Sequence, residues 1–278
     1  MVKRFIISTE SRVKLAVIIK GRYKKCCQII NRGRKINHLN LPLWLENNKF
    51  FRFVFLLRKL YLTKTKATHF SQFAEDISIK RLFRKGDTGF FVDVGCFHPK
   101  KYSNTWMLYK AGWRGINVDI DAIKITGFDL VRPLDTNIAC AVSNKEGEIV
   151  YYTSGFYSLT ATLDADFAEK HKRAFIKKKT TCKPLTKIID ETKYKDRQID
   201  FLSVDAEAHD LEVLKSLDFE RYQPRLIAVE THSPVFADIE KSPLYKYLMS
   251  MEYSLVGWCG LTLLVASPQM QQELKEKR

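Results

Sequence analysis

Apolar positions along the chain change their spacing near residue 70. Before it, short apolar stretches alternate with basic clusters; after it, short apolar runs alternate with segments of helical period. Unbroken short runs mark buried strands, and apolar residues three or four apart mark helices. Residues 71–85 (SQFAEDISIKRLFRK) set Ile77, Leu82 and Phe83 at helical spacing, and Gly86 stops the segment. Residues 90–94 form an apolar run with one acid, ended by Gly95, as in a strand buried on both faces. Ser103 or Asn104 can cap a helix that runs to Ala111 and closes on Gly112. Residues 115–118 are a second strand ending in Asp119, and 137–142 a third. Residues 148–153 make another after the turn at 145–147, and 165–179 read as a charged helix. A buried strand at 201–204 leads to a helix over about 209–217. The strand signal repeats at 226–229, a helix follows at 244–251, and 253–258 with 261–266 form a hairpin around Cys259 and Gly260. This alternation predicts a doubly wound, Rossmann-like α/β fold: an open, mostly parallel sheet with a C-terminal antiparallel hairpin.

Residues 1–66 stand apart from this pattern as a basic, helical N-terminal arm, with the domain proper over 67–278. The densest apolar stretch of the arm, 50–62, reads FFRFVFLLRKLYL. Its aromatics and aliphatics suit a helix lying in a membrane interface, and equally a segment covering one side of the main domain. Charge sharpens the division. Of the 47 Lys and Arg, 17 lie in residues 1–66 beside two acids, Glu10 and Glu46, a net +15 that leaves +1 for the rest. Such a cationic arm attracts anionic surfaces, so peripheral contact with an anionic membrane through residues 1–66 is expected. No apolar run approaches the ~18 residues of a membrane span. The run at 15–19 is too short for a secretory signal, and no small-residue cleavage site follows it. The six cysteines show no metal-ligand spacing and read as free thiols of a reducing, cytoplasmic compartment.

In open α/β sheets ligands bind beyond the carboxyl ends of the strands. The first such end is VDVGCFHP (92–99), where Gly95 permits a sharp turn and a close approach to the backbone. The second is VDID (118–121), where Asp119 can accept hydrogen bonds from ribose hydroxyls; Asp121 is expected to be solvated. No second or third glycine follows Gly95, so a pyrophosphate is poorly served. An adenosine cofactor without one, such as S-adenosylmethionine, fits better. The third end is SVDAEAHD (203–210) and the fourth VETHSP (229–234). Asp205, Glu207, His209, Glu230 and His232 should project into one cleft, with Asp210 capping the next helix. Asp205, Glu207 and His232 are the candidates for a general base. The same carboxylates would suit a hard cation, but no resident metal is inferred.

These residues resemble the FkbM-like methyltransferases over roughly residues 70–266. Five stretches carry the likeness in order and spacing: SQFAEDISIKRLF (71–83), FVDVGCFHPKKYSNTWMLYKAGWRGINVDID (91–121), NIACAVSNKEGEIVYY (137–152), IDFLSVDAEAHDLEVLKSLDF (199–219) and PRLIAVETH (224–232). The resemblance implies a class I methyltransferase fold and S-adenosylmethionine as methyl donor. It further implies O-methylation of a sugar, glycolipid or polysaccharide precursor, and together with the basic arm it leads to the expectation of a glycan or lipid-linked saccharide acceptor at the cytoplasmic face of a membrane. By position it implies that Asp93 and Gly95 border the methionine part, Asp119 binds ribose, and Ser71 and Gln72 close over the cofactor. Asn104 would lie near the amino-acid end, and Ala141 and Ser143 near adenine. Two departures stand out: Ala208 replaces the Gly of the family's Asp-x-Glu-Gly pattern, and His98-Pro99 replaces a more flexible loop. The alternatives are a non-catalytic saccharide- or partner-binding relative, and a nucleic-acid methyltransferase. The latter is weaker, because Asp205-Ala206-Glu207-Ala208 stands where base N-methylation uses an Asn/Asp-Pro-Pro-aromatic motif.

Overall fold

A computed structural model of the chain describes residues 47–61, 67–158, 161–163, 165–170 and 175–276. Residues 1–46 and 62–66 of the basic arm lie outside the described residues. The chain divides into two units between Ala67 and Thr68. In the first, one helix is described, α1 (Lys49–Tyr61). It is started by Asn48, whose side-chain oxygen accepts from the Phe51 N–H at 3.0 Å.

The second unit opens with α2 (Glu75–Leu82), shorter than the 71–85 pattern predicts. Residues 71–74 are instead a loop pinned to the helix. The Ser71 hydroxyl donates to Asp76 Oδ1 (2.9 Å), and Asp76 Oδ2 accepts from the Phe70 N–H (2.8 Å). Then come β1 (Phe90–Val94), α3 (Trp106–Lys110), β2 (Arg114–Asp119), α4 (Ala122–Val131), β3 (Thr136–Ala139) and β4 (Ala141–Val142). The middle of the unit holds β5 (Gly147–Thr153), β6 (Ala161–Thr162), α5 (Ala165–Lys170), β7 (Ile176–Lys183) and α6 (Leu185–Asp190). It continues through β8 (Phe201–Val204), α7 (Asp210–Lys215), α8 (Phe219–Tyr222) and β9 (Leu226–Glu230). The end is α9 (Phe236–Lys241), α10 (Pro243–Ser250), the hairpin β10 (Ser254–Cys259) and β11 (Thr262–Ala266), and α11 (Pro268–Glu276).

The main sheet runs β10-β11-β9-β8-β1-β2-β3. Strands β9 to β3 of that order are mutually parallel, and β11 and β10 close the edge antiparallel. This is the open, mostly parallel sheet with a terminal hairpin that the pattern predicts. Both faces are covered, which is why its strands read as short, mostly apolar runs. Val92, Ile116, Leu202 and Ile227 pack into a core on one face, and Phe91, Phe201, Leu226 and Ala228 into a core on the other. The chain moves outward from β1 to β2 and β3, then resumes on the opposite side of β1 with β8 and β9. A crevice therefore opens beyond the tips of β1 and β8, the usual ligand position in such sheets.

Two expectations are corrected. The strand expected over 137–142 is two strands in different sheets: β3 joins the main sheet, and β4 pairs with β7 in a second sheet ordered β4-β7-β5-β6. Cys140, Ala141 and Val142 are all buried, so the apolar pattern runs through the break unchanged. The helix expected over 165–179 ends at Lys170, and 176–183 is β7, paired along β5. Pairing with β5 overrides the helix-forming tendency of the lysine run.

Candidate active site

The tips of β1, β2 and β8 frame a narrow cavity of about 70 Å³. Gly95, Asp119, Ala141, Asp205, Glu207 and His209 are on its walls, with Val94, Val118 and Val142 as apolar surface. Gly95 has φ +79°, and a Cβ there would lie 1.7 Å from the Asp205 carbonyl oxygen. The group that approaches the glycine is thus the backbone of the β8 tip, which carries two of the candidate acids. Glycine at this corner lets the chain take a left-handed turn and lets two strand ends touch.

Asp119 is buried at the end of β2. Its Oδ1 accepts from the Asp121 N–H at 2.8 Å, and its Oδ2 pairs with Lys124 Nζ at 3.3 Å. Burial raises the Asp119 pKa, and the Lys124 ammonium opposes that rise. Lys124 sits in the first turn of α4, on the cavity wall, and its charge also favours the ionised forms of Asp205 and Glu207. Sequence reasoning did not single it out. The available signal is a lysine five residues after Asp119 within the otherwise apolar AIKI. Asp121, expected to be solvated, is buried and caps α4 through the Ile123 N–H.

A second space, sharing Gly95, Phe97 and Asp205 with the first, is bordered by Gln72, Asn104 and Glu230. Glu75 fixes its rim: its carboxylate accepts from the Phe73 N–H (2.7 Å) and from the Thr262 hydroxyl (3.2 Å), tying the 71–74 loop to β11. Asn104 donates to Ser203 Oγ at 3.2 Å.

Three of the residues nominated for the cofactor are not on these walls. Ser71 is used in pinning its own loop. Asp93 is buried behind the tip, accepting from Thr105 Oγ1 at 2.5 Å, and Thr105 accepts from Arg132, which pairs with Asp135. Ser143 lies behind His209, its hydroxyl 3.0 Å from Nε2. Helix α3 has five residues, too short for its dipole to make an anion site.

The acids form a graded cluster. Burial raises both Asp205 and Glu230. The two are hydrogen-bonded to each other, and the Asp205 charge raises Glu230 further. Glu207 is pushed up to about 7, first by burial and then by the neighbouring Asp205. Asp210, also raised to about 7 by burial, is the first residue of α7, and it holds the Ala206 N–H at 2.8 Å rather than capping the helix. His232 does not share a cavity with Glu207. Its Nε2 is 3.8 Å from Asp210 Oδ2, on the wall of a third space of about 450 Å³, which Glu230 joins to the second. Glu230 and His209 thus come closer to the centre than a reading of isolated strand ends allots them.

Glu207 and Ala208 both have left-handed backbone, at φ +49° and +73°. A glycine suits the second of these, and alanine there is strained. Ala208→Gly is expected to raise stability by about 0.5–1 kcal/mol, the left-handed strain relieved less the entropy that glycine loses on folding. Denaturant midpoints measure this, and an unchanged midpoint would show an unstrained loop.

The chemistry of the lining suits S-adenosylmethionine. It offers a carboxylate at the second strand tip for ribose, apolar walls from β1, β2 and β4, and acids near the crevice for a sulfonium. It lacks the glycine-rich turn of a pyrophosphate site.

The methyltransferase FkbM domain matches residues 93–253 of the chain. Among solved structures, a TehB-like SAM-dependent methyltransferase from Corynebacterium glutamicum ATCC 13032 Kitasato is similar at 13% identity and a TM-score of 0.36, covering 77% of this chain and 94% of that one. No curated protein matches.

Proposed function

Because the chain belongs to the FkbM methyltransferase family and is thus an S-adenosylmethionine-dependent methyltransferase, we propose that it methylates a hydroxyl of a sugar, glycolipid or polysaccharide precursor. The observation that carries this reading is Glu207, a carboxylate with its pKa raised to about 7, in the same cavity as Gly95 and Asp119. A group that titrates near the working pH can take a hydroxyl proton as the new bond forms. The bound cofactor supplies an electrophilic methyl on a sulfonium. The chain's own contribution is position and charge. In this reading Asp119 holds the ribose, Gln72 and Asn104 border the amino-acid end, and Asp205 faces the sulfonium. Glu230 keeps Asp205 in place through their shared proton, and Glu207 is the base.

The acceptor would enter from the third space, where Glu230, Thr231, His232 and Ser233 offer hydrogen-bonding groups beside the apolar Leu211 and Leu244. Such a mixture suits a polyol, as in a glycan or lipid-linked saccharide. In this reading His232 orients the acceptor and is not the base. The reaction belongs to a reducing cytoplasm, a reading in keeping with free Cys96, Cys140, Cys182 and Cys259.

The test is transfer of tritiated methyl from S-adenosylmethionine to a membrane saccharide extract. A base-stable methyl ether in the saccharide fraction is the expected product. Label in base-labile esters or in nitrogen would overturn the hydroxyl assignment. Tight cofactor binding without turnover on any saccharide would favour the non-catalytic alternative.

A further inference from the structure

The exposed face of α1 is not used in the proposed reaction, and its chemistry is distinctive. Leu56, Leu60, Phe53, Leu57, Phe50 and Tyr61 fall, in that angular order, on one arc of about 140° at 100° per residue. All six are exposed, Phe50 by 62%, Phe53 by 61% and Leu60 by 66%. Phe51 and Phe55, off this arc, stack on each other at 6.0 Å. Lys49, at the first position of the helix, lies exposed within this arc, and Arg52 is exposed beside it. The sequence around it, residues 1–66, carries a net +15.

We propose that α1 is an interfacial anchor that lies in the surface of an anionic lipid bilayer, with its apolar arc toward the acyl chains and the surrounding basic residues on the headgroups. The length of the helix decides how it lies. Its 13 residues reach about 20 Å at 1.5 Å per residue, short of the ~30 Å hydrocarbon core. None of the described helices is long and apolar enough to cross a membrane. A helix with one broad apolar face and cationic flanks binds in the interface plane instead.

Charge and apolarity together select this occupant. A second copy of the chain would bring another +15 against the first. Nucleic acid would satisfy the lysines and arginines through its phosphates, but phosphates gain nothing from three exposed leucines. An anionic bilayer satisfies both features: headgroups draw in the basic segment, and acyl chains bury the arc. The anchor stands independently of which hydroxyl, if any, the second unit methylates.

The experiment is co-sedimentation of the full chain with vesicles of phosphatidylcholine alone or with 30% phosphatidylserine. Strong binding to the anionic vesicles is expected, at least 10-fold tighter than to the neutral ones and weakened by 0.5 M salt. The variant Phe53→Ser/Leu57→Ser/Leu60→Ser keeps every charge and should lose anionic binding by at least 10-fold. A second measurement does not depend on that variant. In Phe53→Trp, acyl-chain bromination should quench fluorescence beyond the level in the unsubstituted protein. The proposal is overturned if the serine variant binds vesicles as the parent does, if bromination adds no quenching, or if the chain prefers a 30-nucleotide RNA to anionic vesicles and the serine variant binds that RNA equally well.

Discussion

Gly95→Ala is expected to destabilise the second unit by about 2–5 kcal/mol and to abolish S-adenosylmethionine binding. Two costs add. An L side chain at φ +79° carries a left-handed penalty of about 1–2 kcal/mol. The new methyl would also sit 1.7 Å from the Asp205 carbonyl oxygen, so the tips of β1 and β8 must part. Overpacking of that kind costs about 1–3 kcal/mol. Gly147→Ala is the control, because Gly147 has φ +121° with nothing within 4 Å of a Cβ. It should suffer the backbone strain alone and bind cofactor normally. Thermal melts and calorimetry read both effects. A Gly95→Ala protein with the cofactor affinity of its parent would show that the strand tips do not shape the binding site.

Glu207→Gln is expected to lower kcat by about 10²–10⁴-fold, the usual contribution of a positioned base, with little change in cofactor affinity. The pH profile supplies the independent signature. The Glu207 pKa is raised to about 7 in the folded protein, and the base must be ionised to accept a proton. Below that value kcat/KM should therefore fall about tenfold per pH unit, and above it should level off. In Glu207→Gln this limb should vanish and leave a low, flat rate. A glutamine variant that keeps both the rate and the limb would move the role of base to another residue.

Much of the scaffold was legible in the sequence for one physical reason. Strands β1, β2, β8 and β9 are covered on both faces, so they appear as mostly apolar runs, and each ends in or is followed by a glycine or an acid. The tips were therefore identifiable, and with them Gly95, Asp119, Asp205 and Glu207. The second sheet was not legible. Strand β7 presents Lys177 and Lys179 outward, and its strand character comes from pairing with β5, a partner more than 20 residues away in the chain. The site was legible as a set of ends but not as a set of directions. His232 follows β9 as Glu207 follows β8, yet the two side chains enter different spaces. Ser71, Asp93 and Ser143 lie at the expected places in the chain, but their side chains turn to Asp76, Thr105 and His209. The Lys124–Asp119 pair is local but depends on the path of a turn: the turn at Asp121 brings the first turn of α4 back over the tip of β2.

That pair shapes the most direct test. Lys124 and Phe97 both border the narrow cavity, with Nζ 5.3 Å from the ring centroid, and a nucleoside needs more than its present ~70 Å³. A crystal structure with S-adenosylhomocysteine measures what happens there. The account predicts the ribose hydroxyls on Asp119, the adenine against Ala141 and Val142, the amino-acid end toward Gln72 and Asn104, and Lys124 swung off Asp119. A nucleoside lodged elsewhere, with the Lys124–Asp119 pair still closed, would contradict it.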